Sequence, residues 1–436
     1  MNKKTFLIIL VFILNTNCSF DTKSGIWTKD QKITKTESNK NQTKILFKKE
    51  KIDNREFNKN FILKTPLISN LKNDFLNTNN SGPELINIDL KKKSKYKFSK
   101  IKYFNYFNPE LVFVKKNLVF FDKNGTIIKF NDTSKTVWKK NNYTKRERKL
   151  LPILNFSSDK KILIVTDNLA KFYALDIKTG KVLWTKNHET IFISDIKIDK
   201  DQFYILDSSN NLNCYSLLNG ELIWNFQTDD DLIKSQKKLS IVYDKLKVYF
   251  NNSRGDIYSL DKENGNLIWF TPTRDDVESV QSFLLKTSKL VLDQNNLYFS
   301  NNRNSFFSLD ANTGLKNWIQ NINSEFKPVI AGQIIFTVSS NGYLFVVEKL
   351  TGNIIRVTDL LKQFSSKKRK KIKISGFIVG QQKIYVSLNS GKLLEANINN
   401  GKTNSILRIS RDKISRPFVN DGKIFIVKND EIIKLN

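Results

Sequence analysis

The stretch Lys171–Lys186, KFYALDIKTGKVLWTK, runs as a short strand, breaks at Gly180 and resumes as a second strand closed by Trp184. The same order returns in NLNCYSLLNGELIWNF (Asn211–Phe226), GDIYSLDKENGNLIWFT (Gly255–Thr271) and NSFFSLDANTGLKNWIQ (Asn304–Gln320). In each, a turn glycine is followed four residues later by a tryptophan: Gly180 by Trp184, Gly220 by Trp224, Gly265 by Trp269 and Gly314 by Trp318. Weaker copies flank these. Ser134 stands in the turn before Trp138, Gly352 precedes Arg356 where Trp is due, and Gly401 precedes Ser405.

Ten residues upstream of each turn glycine stands Gly, Ala or Asn, at Ala170, Asn210, Gly255, Asn304, Gly342 and Gly391. Gly and Asn tolerate positive φ at low cost, so tight hairpins select them, and the period-2 apolar pattern between the two turns predicts half-buried strands. Another apolar strand precedes each pair, as in KILIVTD (Lys161–Asp167), LKVYFNN (Leu246–Asn252) and QIIFTVS (Gln333–Ser339). Each repeat therefore supplies four strands. Six intervals separate Ser134 from Gly401, a mean spacing of about 44 residues, which matches a four-stranded propeller blade. The expected fold is all-β, an eight-bladed β-propeller of four-stranded antiparallel blades over residues 83–436. The last segment, SRPFVNDGKIFIVKNDEIIKLN (Ser415–Asn436), holds only three strands. Its outer strand is expected from residues 85–100, so that N- and C-terminal strands pair and close the ring without an exposed edge. Asp176, Asp261 and Asp310 recur at the strand end before the turn, where capping the turn explains them.

Composition excludes much chemistry. The chain has 436 residues and a formal charge of +31, from 73 Lys and Arg against 42 Asp and Glu. One histidine (His188), two cysteines and a single methionine leave little for a histidine zinc site, a Ser/His/Asp triad or a disulfide framework. At the N-terminus, Lys3 and Lys4 precede an apolar run from Phe6 to Leu14, then Cys18. That run falls short of the roughly 20 residues that span a bilayer, so residues 1–17 read as an export signal. Residues 18–61, rich in Lys, Asn and Thr, read as a flexible tether, and 62–82 as a lead-in to the propeller. Cys214 is expected to be a free, buried thiol, because Ala174, Ser259 and Ser308 hold its place in the other repeats. Lys-rich runs at 91–102, 143–149 and 365–373 could attract anionic lipid or nucleic acid. The export signal disfavours nucleic acid, and a solvated flexible insertion is the plainer reading of Lys367 to Lys373.

The Trp-bearing turn resembles the tryptophan-docking repeat of the PQQ-like quinoprotein propellers, in which an indole from each blade packs against its neighbour. Two groups share this repeat: quinone-dependent dehydrogenases, and the BamB lipoproteins of the outer-membrane protein assembly machinery. The signal, the eight-blade count and the closing strand look like BamB over nearly the whole chain, and Cys18 resembles the lipidated cysteine of bacterial lipoproteins. The resemblance implies a non-catalytic scaffold without a cofactor or metal, lipid-anchored at Cys18 in the outer membrane and facing the periplasm. It further implies a monomeric propeller within a hetero-complex, docked onto a BamA-like barrel protein. Carried over by repeat register, the partner contacts resemble Leu232, Ile233 and Lys234 in one inter-blade loop and Asp275, Asp276 and Glu278 in the next. Trp138, Trp184, Trp224, Trp269 and Trp318, with Gly180, Gly220, Gly265 and Gly314, take the blade-docking role. The alternatives are a PQQ-dependent dehydrogenase, which would need calcium and ordered quinone-binding residues, and an envelope propeller that binds another protein, lipid or peptidoglycan.

Overall fold

Each repeat folds into an antiparallel sheet whose strands follow one another outward in chain order. The computed structural model describes residues 93–436 apart from 103, 160, 229–236 and 274–284, together with 82–84, 86 and 90. Within it stand eight four-stranded sheets, the blades of a closed propeller. Blade I spans residues 112–140, II 154–187, III 197–227, IV 241–271, V 291–320, VI 329–359 and VII 374–408. Blade VIII is composite. Residues 418–435 supply three strands, and β1 (Lys93–Lys97) adds the fourth by pairing antiparallel with the last of them (Glu431–Leu435), from Lys93↔Leu435 to Lys97↔Glu431. The Lys-rich run at 91–102 is therefore partly the closing strand, with Tyr96 turned into the core and Lys95 3.4 Å from Glu431.

Burial corrects one expectation. The third strand of each blade, such as Lys171–Asp176, is buried on both faces rather than half-buried, as is the second, such as Ile162–Asp167. Neighbouring blades pack face to face, so only the outer strands meet water on one side. Those strands alternate accordingly: in Thr136–Lys140 only Trp138 is buried, and Leu183, Ile223, Ile268 and Ile319 are exposed.

The tryptophans tie each blade to the next. Trp138 Nε1 donates to Ile177 O at 3.4 Å, Trp184 to Leu217 O at 3.0 Å, and Trp224 to Lys262 O at 3.2 Å. Trp269 donates to Ala311 O and Trp318 to Lys349 O, both at 3.1 Å. Every acceptor lies in the turn between third and fourth strands of the following blade, and the indole ring covers that turn's glycine. A Cβ on Gly220 would stand 2.7 Å from the Trp184 ring, and one on Gly265 2.6 Å from Trp224. On their own blades four of the five indoles sit opposite a small residue: Trp184 faces Ala174, Trp224 faces Cys214, Trp269 faces Ser259 and Trp318 faces Ser308, while Trp138 faces Lys129. Cys214 is free and buried, and burial, with Asp199 nearby, pushes its thiol up to about 12.

The turn backbone yields a stability prediction. Gly220 has φ +71° and Ser134, in the equivalent turn of blade I, has φ +65°. Gly220→Ala combines left-handed backbone strain with a clash against a rigid ring, and is expected to cost about 2 kcal/mol or more. Ser134→Gly relieves strain at the price of chain entropy and is expected to be neutral or to stabilise by up to about 1 kcal/mol. Chemical denaturation of the two variants beside wild type reads both signs.

Candidate functional site

In a four-stranded antiparallel blade, the link to the next blade and the turn between second and third strands emerge on the same side. This loop face carries the candidate contacts. The links leaving blades III and IV are pinned at their stems: Thr228 Oγ1 donates to Asn210 O at 3.1 Å and Thr273 Oγ1 to Gly255 O at 2.9 Å. They rejoin the ring through Leu239 N to Ile193 O at 2.9 Å and Ser288 N to Ser300 O at 2.7 Å. Leu232, Ile233 and Lys234 in the first link, and Asp275, Asp276 and Glu278 in the second, lie outside the described residues, as does Cys18. The structure brings the two stems to adjacent positions on one face.

Two other links hold short basic helices. Helix α1 (Lys145–Lys149), between blades I and II, starts with a capping box in which Thr144 and Glu147 exchange side-chain and backbone hydrogen bonds. Helix α2 (Ser366–Arg369), between blades VI and VII, is pinned by Arg369, whose Nη1 lies 2.5 Å from Asp359 Oδ2 and whose guanidinium stands 5.2 Å from the Tyr343 ring centre. Burial lowers the affinity of Arg369 for its proton, but Asp359 outweighs this and raises it. The exposed Lys367, Lys368, Lys370 and Lys371 thus project from a built turn, where a flexible insertion was the expectation.

At the centre of the face the inner strands converge, and five of them are preceded by two residues by a charged one. These are Glu110 before Val112–Val114, Asp195 before Lys197–Asp199, Lys289 before Val291–Asp293, Lys327 before Val329–Ala331 and Arg416 before Phe418–Asn420. Lys289 Nζ lies 3.1 Å from Glu110 and 3.2 Å from Asp195, and Arg416 Nη2 lies 2.5 Å from Glu110. Blades I, III, V and VIII are thereby braced across the axis. Burial pushes the Glu110 carboxyl up, but Arg416 and Lys289 outweigh it and hold it well below the usual carboxylate range. Burial lowers Lys289, and Asp195 and Glu110 more than reverse this. Lys238 adds a further contact across the axis, to Asn155 of blade II.

The acids at the outer turns are engaged as caps. Asp176 Oδ1 accepts from Thr179 N at 2.7 Å, Asp261 Oδ1 from Glu263 N at 2.9 Å and Asp310 Oδ1 from Thr313 N at 2.8 Å. Among the described residues, no group of three or more His, Cys, Asp or Glu side chains is placed to hold a metal ion. The axial charges were missed by sequence reasoning, which followed the Gly and Trp positions outward. Aligning the repeats on the start of each inner strand exposes them.

The closed ring of Trp-docked, four-stranded blades defines a PQQ-type β-propeller. A family model described as outer membrane protein assembly factor BamB matches residues 123–358, and the chain belongs to that family. The crystal structure of BamB from Moraxella catarrhalis superposes with a TM-score of 0.64 at 13% identity, covering 79% of this chain and 100% of that one. Quinohemoprotein alcohol dehydrogenase from Comamonas testosteroni gives 0.61 at 11% identity, over 83% of this chain and 79% of its own. A europium-containing methanol dehydrogenase gives 0.61 at 12% identity, over 80% and 87%. At such identities these likenesses speak for the fold. No curated protein matches the chain by sequence.

The axial brace makes a testable demand. Glu110→Gln leaves Lys289 and Arg416 without their shared counter-charge and is expected to destabilise the ring by about 3 kcal/mol at neutral pH. The folded carboxyl titrates below its ordinary value of 4.5. Its stabilisation is therefore fully present above that pH and is lost as pH falls through the folded value. The gap between wild type and variant in urea unfolding should accordingly be widest at neutral pH and narrow in acid.

Proposed function

We propose that this chain is a non-catalytic scaffold of outer-membrane β-barrel protein assembly, docking onto a BamA-like partner through the links that leave blades III and IV. The observation that carries this reading is the family match over residues 123–358. Residues 1–17 serve as export signal, Cys18 as the lipidated residue and 18–61 as the tether, which holds the propeller 83–436 on the periplasmic side of the outer membrane. A 44-residue coil reaches about 35 to 40 Å, enough for the loop face to meet a membrane-embedded barrel. Leu232 and Ile233 supply apolar anchors, Lys234 an adjacent charge, and Asp275, Asp276 and Glu278 set register on the neighbouring link; such anchors carry most of an interface's affinity while charges orient it.

The dehydrogenase alternative asks for calcium and ordered quinone-binding residues. The axial carboxylates do not fit calcium: Glu110 is bound by two cations and Asp195 by Lys289. A carboxylate already paired with buried cations is a poor ligand for a divalent ion.

The test is affinity purification of the tagged, full-length protein from gently solubilised envelopes, with partners identified by mass spectrometry. Wild type is expected to retain a BamA-like barrel protein, and Leu232→Glu with Ile233→Glu to lose it by tenfold or more while keeping a wild-type melting transition. Recovery of no barrel protein by wild type would overturn the assembly reading and move the other envelope-binding roles forward.

A further inference from the structure

The axis of the ring opens on the loop face as a cavity of about 920 Å³, large enough for a small-molecule ligand. Its described lining holds eight Lys and Arg side chains against five Asp and Glu. Asp195, just behind Lys289, still leaves cations in excess. Phe107, Phe326 and Phe377 give the cavity apolar wall. The cations crowd one another: burial and the nearby Lys197 and Lys289 push Lys327 well down, and burial lowers Lys238 although Glu110 opposes it.

The segment ahead of the closing strand places one carboxylate among them. Glu84 N donates to Val379 O on the inner strand of blade VII at 2.7 Å, and Ile86 packs into the core between blades VII and VIII. The Glu84 side chain lies in the field of Lys327 and Arg416, yet burial raises it to about 7. It is therefore a weak counter-charge, coming from a segment outside the ring.

We propose that the axial cavity is a binding site for a small polyanion bearing phosphate or carboxylate groups, held by Lys238, Lys327 and Arg416, with Glu84 as its tethered competitor. A multiply charged oxyanion neutralises several crowded cations at once, in a recess where the low dielectric strengthens each pairing. Glu84 brings a single charge that is itself expensive to bury. Lys238 belongs to the link that leaves blade III, so the site lies at the root of the docking face, but it rests on the charge and shape of the cavity and not on the scaffold reading.

Isothermal titration calorimetry of the purified full chain at low ionic strength tests this, with pyrophosphate and citrate as the two probes. Saturable binding near one equivalent is expected for at least one of them. The tighter probe identifies phosphate or carboxylate as the preferred chemistry. Lys327→Gln and Lys238→Gln should each weaken binding tenfold or more, Glu84→Gln should tighten it several-fold, and Lys116→Gln, on the opposite face, should leave it unchanged. Glu84→Gln alters only the segment ahead of the closing strand, so its sign remains readable if a lysine variant loses its fold. Absence of saturable binding by both probes, equal loss in Lys116→Gln, or weaker binding in Glu84→Gln would each overturn the proposal.

Discussion

The fold depends on one contact repeated around the ring: an indole laid over the turn glycine of the next blade, with its N–H given to that turn's carbonyl. A single blade cannot bury both faces of its middle strands, so its stability is borrowed from its neighbours. The indole supplies a large apolar surface and a directed hydrogen bond at the same place, which fixes how far apart and in what register two blades lie. The turn residue must lack a Cβ because the ring occupies that volume.

The departures from this pattern are explained by what lies opposite. Arg356 replaces Trp in blade VI and reaches the same turn carbonyl in blade VII, Ile398 O at 2.8 Å, and also Asn399 O. A planar guanidinium keeps the shape and the donors of an indole edge. Ser405 replaces it in blade VII, where the following blade takes its outer strand from β1 and has no third-to-fourth turn to receive an indole. At the last junction, Tyr96 Oη and Lys434 Nζ both donate to Asp132 O, at 3.2 and 2.8 Å, so blade VIII docks on blade I with a different donor pair.

The same logic explains what the sequence disclosed. Gly180 with Trp184 and its copies repeat because each performs one physical task at one place, and blade number, strand order and the closing strand followed from their spacing. The third strands were misjudged as half-buried because runs such as Phe172–Leu175 are bounded by Lys171 and Asp176, and the pattern alone does not tell a face covered by a neighbouring blade from one open to water. The links between blades do not repeat, so Leu232 or Asp275 could be singled out only by resemblance. The basic run at 365–373 held its cap-like anchor, Arg369 on Asp359, in a pairing between residues that no periodicity joins.

The axial charges raise a question that packing leaves open: why a ring with so much apolar interface keeps ions at its centre. The blades are near-copies with near-interchangeable faces, and apolar surfaces of similar shape discriminate poorly between correct and shifted arrangements. Ion pairs at the axis add little net stability once desolvation is counted, but an unmatched one is costly. Glu110 from blade I is satisfied only when Lys289 from blade V and Arg416 from blade VIII have both arrived, and Lys289 in turn requires Asp195 from blade III. A ring with one blade out of place would bury an unpaired charge. The brace therefore penalises wrong closures more than it rewards the right one, and it does so where every blade meets, beneath the face whose links must be held in fixed relation to one another.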